Sequence, residues 1–428
     1  MAATIPTTFE ATRFAWLRQI GPGHALFGAA LGFVWLHLVD ATFVHPQRNA
    51  MPAEHVLLAA VGLLAPPLGF AAYPRIRRAV RGVIVAVVGL AAMSAGSMIH
   101  FAGLLRNGEW NGGDFTGVPM TFAGLVMVVL GIALCTWSIP RTRYRLLVIP
   151  ALIPALLLII VPTHIATFIA HAPRQIIEPQ DLGAAYETVS FETSDGLTLR
   201  GWYVPSRNGA AVALIHGSGG SRMGPARHAR MLVRHGYGVL LFDVRGHGES
   251  DGTTNALGWG AYPDSKAARD YLASRPDVDP NRIGLLGLSM GAEIAIESAA
   301  HDDGYAAIVA DGPSGRTFAD ARDSSLPAAT LVVASGTLLS YELLVAAMSG
   351  AMPPPSLVSR SPDVNEPILY IASGDAQEER ALVTRIAEHS GGDSALWIID
   401  GAGHTQGLKT FPQVYEERVV QFFDRLLR

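Results

Sequence analysis

The stretch RIGLLGLSMGAEIAIESAA, residues 282–300, decides how the C-terminal half of the chain folds. An apolar run ends in Gly287-Leu288-Ser289-Met290-Gly291 and passes at once into helical spacing. A short apolar run followed by a helix pattern reads as a buried strand feeding a helix, with Ser289 at the corner. The two glycines allow a crowded turn there, and the helix N-terminus faces any negative charge that develops beside the serine.

The same alternation extends on both sides. YETVSFETSDGLTLRGWYVPS reads as two strands around an Asp195-Gly196 turn, followed by the buried strand AAVALIHG and a helix from about 225 to 235. The strand YGVLLFDV, a helix near 263–275, RIGLLGL with its helix, and YAAIVAD come next; PILYIAS, ALWIID and a closing helix end the chain. Strands alternating with helices imply a mostly parallel, doubly wound sheet covered on both faces, with sites at the carboxyl ends of its strands.

Candidate catalytic residues fall at those ends. Ser289 follows a strand and opens a helix, the context a GxSxG nucleophile elbow requires. His404, in DGAGHTQG after ALWIID, is placed to reach the serine as general base. For the acid that orients the imidazole, Asp375 in ASGDAQEE is favoured by its closeness to the end of PILYIAS, with Glu378 in reserve. His216-Gly217-Ser218-Gly219-Gly220 ends an earlier strand, so the backbone N–H groups of Ser218 and Met290 are the expected oxyanion donors. A Walker phosphate loop is disfavoured there because no GKS or GKT follows the glycines.

With HGSGG, FDVRGHGES, GLSMGA and GAGH all in order, the chain resembles the alpha/beta-hydrolase superfamily over about residues 185–428. Within it the chain looks like the membrane-anchored branch related to prolyl-oligopeptidase-type and Bem46-like hydrolases. The resemblance implies hydrolysis of an ester, thioester or amide without cofactor or metal. It also implies that Asp243, Arg245, Gly246, Gly248 and Ser250 shape a loop, and that residues 313–366 form a lid. Within that insertion, the apolar stretch 328–348 is expected to be a cap helix rather than a membrane span, because crossing there would separate Ser289 from His404.

The first 174 residues differ in kind. The whole chain is 50% hydrophobic and only 16% charged, too few charges for an ordinary soluble protein of 428 residues. Five apolar segments, at about 24–44, 56–73, 82–105, 118–139 and 146–170, each approach the roughly 20 residues that cross a bilayer as helix. The expected organisation is thus a bundle of about five transmembrane helices over residues 1–174 and a catalytic domain over 175–428. Arg13, Arg18, Arg75, Arg77, Arg78, Arg81, Arg141, Arg143 and Arg145 flank one side of these segments, against Arg48, Arg106 and Arg174 on the other. That excess marks the first side as cytoplasmic and directs the catalytic domain outward across the plasma (inner) membrane. His37, His100 and His164 lie late in outward-running segments, with Asp40, His45 and His171 near the same face; their spacings match no metal signature. Residues 175–428 carry a net charge of −11, which argues against nucleic acid as a partner, and the single Cys135 permits no intrachain disulfide.

The expectation is an integral membrane serine hydrolase acting on a small acyl ester or peptide-like substrate. Two rivals are an acyltransferase on the same three residues and a transport or signalling module whose hydrolase-like domain only binds ligand.

Overall fold

The computed structural model describes residues 22–44, 52–96, 114–137, 166, 174–175, 177–252, 254–301, 304–323 and 328–428. The chain divides into two compact units, Met1–His164 and Ile165–Arg428.

In the first unit four helices are described: α1 (Pro22–Val39), continued by a π-turn over Asp40–Val44, α2 (Pro52–Ala72), α3 (Arg78–Ala95) and α4 (Asp114–Trp137). The helix α2 runs through Pro66 and Pro67 without a break. Helices α3 and α4 pack backbone to backbone along a glycine seam. A Cβ added at Gly82 would lie 2.8 Å from the Gly131 carbonyl, one at Gly89 would lie 2.7 Å from that of Gly124, and one at Gly96 would lie 2.7 Å from that of Gly117. The glycines recur every seventh residue on both helices and match in antiparallel order, so any side chain on the seam would drive the helices apart.

Two of the described helices, Pro22–Val39 and Phe115–Trp137, are long and apolar enough to cross a membrane, by length and composition alone. The expected bundle of five spans is therefore met only in part. Helices occupy four of the five segments, two of them qualify as spans, and the fifth segment, 146–170, lies outside the described residues except for 166.

The second unit is built on one eight-stranded sheet: β1 (Glu187–Glu192), β2 (Thr198–Val204), β3 (Ala211–Ile215), β4 (Gly238–Phe242), β5 (Ile283–Leu288), β6 (Ala307–Asp311), β7 (Ile368–Ser373) and β8 (Ser394–Ile399). Their order across the sheet is β1-β2-β4-β3-β5-β6-β7-β8. Strands β1 and β2 form an antiparallel hairpin, β2 pairs antiparallel with β4, and all remaining pairs are parallel. The runs AVALI, GVLLF, IGLLGL, AIVAD and ILYIAS are buried along their whole length, as strands covered on both faces must be.

Alternation within each strand feeds two cores. Ala213, Ile215, Leu285 and Tyr370 pack on one face with α6 (Tyr262–Ala273), α7 (Met290–Ala300) and α9 (Gln377–His389). Val212, Leu214, Leu286 and Ile371 pack on the other with α5 (Ala226–Arg234) and α10 (Pro412–Leu427). Between β6 and β7 lies the expected insertion. It carries a short helix, Phe318–Asp323, then α8 (Ala328–Ser349) and a one-turn helix, Leu357–Arg360. Tyr341 and Val345 of α8 are buried against Ala256 and Trp259, which places the helix over the loop after β4 rather than apart from the sheet.

The loop after β4 is shaped by Asp243. Its carboxylate accepts the N–H of Arg222 at 2.7 Å and of Glu249 at 3.0 Å, and its carbonyl accepts the Ser250 hydroxyl at 2.6 Å. Gly248 has φ +44, and a Cβ there would lie 2.2 Å from Asp243 Oδ2, so the turn closes only around glycine. Arg245 ties the same loop to Asp264 at 2.6 Å and to Asp195 at 2.8 Å.

Candidate active site

The turn from β5 into α7 holds Ser289 at φ 55 and ψ −118, a conformation that costs a non-glycine residue about 1–3 kcal/mol. Close packing enforces it. A Cβ at Gly287 would sit 2.0 Å from the Gly291 carbonyl oxygen, and one at Gly291 would sit 2.4 Å from that of Ile215. The Ser289 N–H donates to the Asp311 carbonyl at the end of β6, at 2.9 Å, which pins the corner from the other side.

His404 approaches from the loop after β8. Its Nδ1–H donates to Glu379 Oε2 at 2.6 Å, which fixes the tautomer and leaves Nε2 to accept the Ser289 hydroxyl at 2.9 Å. Gly312, with φ +70, backs the ring: a Cβ there would stand 3.2 Å from His404 Nδ1. The hydrogen bond that His404 donates to Glu379 is the main cause that raises the His404 pKa above its ordinary value, opposed by burial and aided by the charges of Glu379, Asp311 and Glu293.

The acid is thus a correction. Asp375 does not reach His404: it is exposed, and its Oδ1 accepts the Gly401 N–H at 3.1 Å, bracing the turn that follows β8. Glu378 is exposed as well. One residue further along α9, Glu379 faces inward. Its Oε1 accepts the Ser373 N–H at 2.7 Å, while Ser373 Oγ donates to the Ala402 carbonyl at 2.6 Å, so the end of β7 fastens both the acid and the histidine loop. A sequence signal existed: Glu379, Leu382, Val383 and Ile386 are the buried residues of α9, an i, i+3, i+4, i+7 stripe.

The turn after β3 lies against the serine. A Cβ at Gly217 would stand 3.3 Å from Ser289 Cβ. Residues 217–220 form a turn closed by Gly220 N–H on the Gly217 carbonyl at 3.1 Å, with Gly219 at φ +66. Ser218 occupies its tip, and Met290 is the first residue of α7, where the helix leaves its leading N–H groups unpaired by the helix itself. Beneath it, His216 donates Nδ1–H to Gly217 O at 2.8 Å and accepts the Val244 N–H on Nε2 at 3.2 Å. Burial pushes His216 down to about 4 and keeps it neutral.

Two further buried carboxylates were not anticipated. Asp311 accepts the Tyr415 hydroxyl at 2.6 Å, and burial pushes its pKa up to about 7. Glu293, one turn along α7, accepts the Ser314 hydroxyl at 2.8 Å and is likewise pushed up to about 7 by burial. Among the described residues no group of three His, Cys, Asp or Glu side chains is placed to hold a metal. In the first unit His37 donates to Thr116 Oγ1 at 3.0 Å and Thr116 donates to Asp40 at 2.5 Å, while His45, His100, His164 and His171 lie outside the described residues.

A family model described as alpha/beta hydrolase fold matches residues 210–374. That match covers the sheet strands β3 to β7, and the strand order and serine corner agree with it. Residues 210–374 belong to the alpha/beta-hydrolase superfamily. This alpha/beta hydrolase is 36% identical over 149 residues to an uncharacterized protein of Mycobacterium tuberculosis, a match covering 32% of this chain and 52% of that one. It is 38% identical over 132 residues to a polyketide transferase of Stachybotrys chlorohalonatus, covering 30% of this chain and 44% of that one. The chain spans about half the length of the curated relatives it matches. Among solved structures, a Pyrococcus furiosus esterase is similar with a TM-score of 0.50 and 24% identity, covering 61% of this chain and 99% of the esterase; that likeness speaks to the fold.

Proposed function

We propose that this alpha/beta hydrolase is a membrane-anchored serine hydrolase that cleaves a carboxylic ester, thioester or amide through an acyl-enzyme on Ser289. The observation that carries the reading is the continuous hydrogen-bond chain from Ser289 Oγ through His404 to Glu379, at 2.9 and 2.6 Å, over the carboxyl ends of the strands. In it Ser289 Oγ attacks the acyl carbon while His404 Nε2 takes its proton, and Glu379 holds the imidazolium that forms. The negative charge on the former carbonyl oxygen falls to the N–H groups of Ser218 and Met290. Collapse expels the leaving group, which receives the proton from His404. A water deprotonated by His404 then attacks the acyl-enzyme and releases acid and free Ser289.

The membrane part of the proposal rests on the two apolar helices and on the glycine seam between α3 and α4, a contact suited to helices that cannot gain from burying apolar surface against lipid. The arginine excess on one side favours a plasma-membrane protein with its catalytic domain outside the cytoplasm, where esters of the envelope or the outer leaflet would be its substrates.

The test uses the full chain in detergent. A fluorophosphonate probe labels the wild type at Ser289, and Ser289→Ala abolishes labelling and ester turnover while the protein keeps its thermal transition. Ester hydrolysis by that variant at the wild-type rate refutes the assignment. The similarity to a polyketide transferase favours, as a second reading, transfer of the acyl group to an alcohol or thiol acceptor; it is chosen if acylated acceptor exceeds free acid in product analysis.

A further inference from the structure

Residues 174 and 175 precede the first strand of the sheet, yet both reach the loops around the serine. Arg174 Nη1 donates to the Ser250 carbonyl at 2.5 Å and to that of Gly248 at 3.3 Å, and its Nη2 donates to the Gly252 carbonyl. This fastens the segment to the loop that Asp243 organises. Gln175 goes further. Its Nε2 donates to the Gly219 carbonyl at 3.1 Å, and its Oε1 accepts the hydroxyl of fully buried Ser221 at 2.7 Å.

The consequence follows from peptide planarity. Gln175 grips the chain on both sides of Gly220, the residue whose N–H closes the turn onto the Gly217 carbonyl. That carbonyl shares a rigid plane with the Ser218 N–H and points the opposite way. Held by Gly220 N–H at 3.1 Å and by His216 Nδ1–H at 2.8 Å, the Gly217 carbonyl fixes where the Ser218 N–H is aimed. Without the amide of Gln175, the Gly219 carbonyl loses the side-chain hydrogen bond that holds it among the described residues, beside Gly220 in a turn where glycine has the widest backbone freedom of any residue. We propose that Gln175 is a positioning residue for the oxyanion loop, so that the segment leading into the catalytic domain sets the aim of a transition-state hydrogen bond. The proposal rests on the hydrolase reading above. It gives the N-terminal segment a part in catalysis beyond attachment.

The experiment compares wild type, Gln175→Ala, Ser221→Ala and the double variant, each as the full chain. The readouts are kcat and KM on a p-nitrophenyl ester, the inhibition constant of an alkyl boronic acid, which adds Ser289 Oγ to boron as a tetrahedral adduct, and Tm. Gln175→Ala lowers kcat on the order of tenfold to a hundredfold, less than or equal to the loss of a whole oxyanion donor. KM stays level, boronate binding weakens by the same factor as kcat, and Tm holds within about 2 °C. Ser221→Ala does the same, and the double variant is little worse than either, because both act through one contact. The proposal is overturned if kcat and boronate affinity of Gln175→Ala stay within about twofold of wild type, or if kcat falls while boronate affinity does not. A wild type that neither turns over ester nor takes fluorophosphonate overturns the hydrolase reading itself, and this inference with it.

Discussion

Replacing Glu379 by glutamine tests the reassigned acid, and the structure dictates how the amide must sit. Glu379 Oε1 accepts the Ser373 N–H at 2.7 Å, so the side-chain oxygen of Glu379→Gln has to stay there; turning the amide over would set two donors against each other. The NH₂ group then faces His404 Nδ1, which Glu379 Oε2 now meets at 2.6 Å. A donor at that position forces the proton onto Nε2, and His404 would donate to Ser289 Oγ instead of accepting its proton. Loss of the right tautomer costs on the order of 10⁴ in kcat, about 5 kcal/mol of barrier. The carboxylate is also the first cause of the raised His404 pKa, so its loss moves the acid limb of kcat/KM, where the imidazole must be neutral, to lower pH. Steady-state kinetics from pH 4 to 9, with burst analysis of the acylation step, read both effects. Asp375→Asn and Glu378→Gln, whose parent side chains are exposed and away from His404, leave kcat near wild type. A larger loss in Asp375→Asn than in Glu379→Gln, or an acid limb that does not move in Glu379→Gln, refutes the assignment.

Gly291→Ala introduces a methyl 2.4 Å from the Ile215 carbonyl oxygen and is expected to destabilise the catalytic domain by about 2 kcal/mol or more with loss of fluorophosphonate labelling. In Gly196→Ala the methyl meets open space, so only the positive φ of +85 costs stability, about 1 kcal/mol, and labelling persists; equal labelling of both variants would refute the packing account. The direction of insertion is checked by a reporter active only outside the cytoplasm: fused after Arg428 it is expected to be active, and fused within 75–81 silent. The reverse pattern would place the catalytic domain in the cytoplasm.

What the residues reveal by themselves depends on how far away their partners lie. The elbow was legible because its crowding is set by Gly287 and Gly291, two residues either side of Ser289, where a Cβ on Gly287 would lie 2.0 Å from the Gly291 carbonyl oxygen. His404 was legible from its place after the last strand, since parallel strands deliver their carboxyl ends to one edge. For the acid, nearness to the end of β7 favours Asp375, whereas the inward face of the next helix selects Glu379. Successive helical residues differ by about 100° in direction, so Glu378 points to solvent while Glu379 joins the stripe of Leu382, Val383 and Ile386. A similar local pattern lay unused in the first unit, where glycines recur at 82, 89, 96 and at 117, 124, 131. Hydropathy averaged along a segment registers apolarity and passes over spacing, so it reports that helices could enter lipid without showing which pair can touch. Gln175 and Asp311 had no such pattern to offer. Gln175 meets Gly219 across 44 residues, and Asp311 meets Tyr415 across 104; neither partner leaves a mark within a helical turn of the other. Positions of this kind become visible only when the sheet assembles, because the backbone atoms and hydroxyls they hold carry no residue-specific signature in the chain.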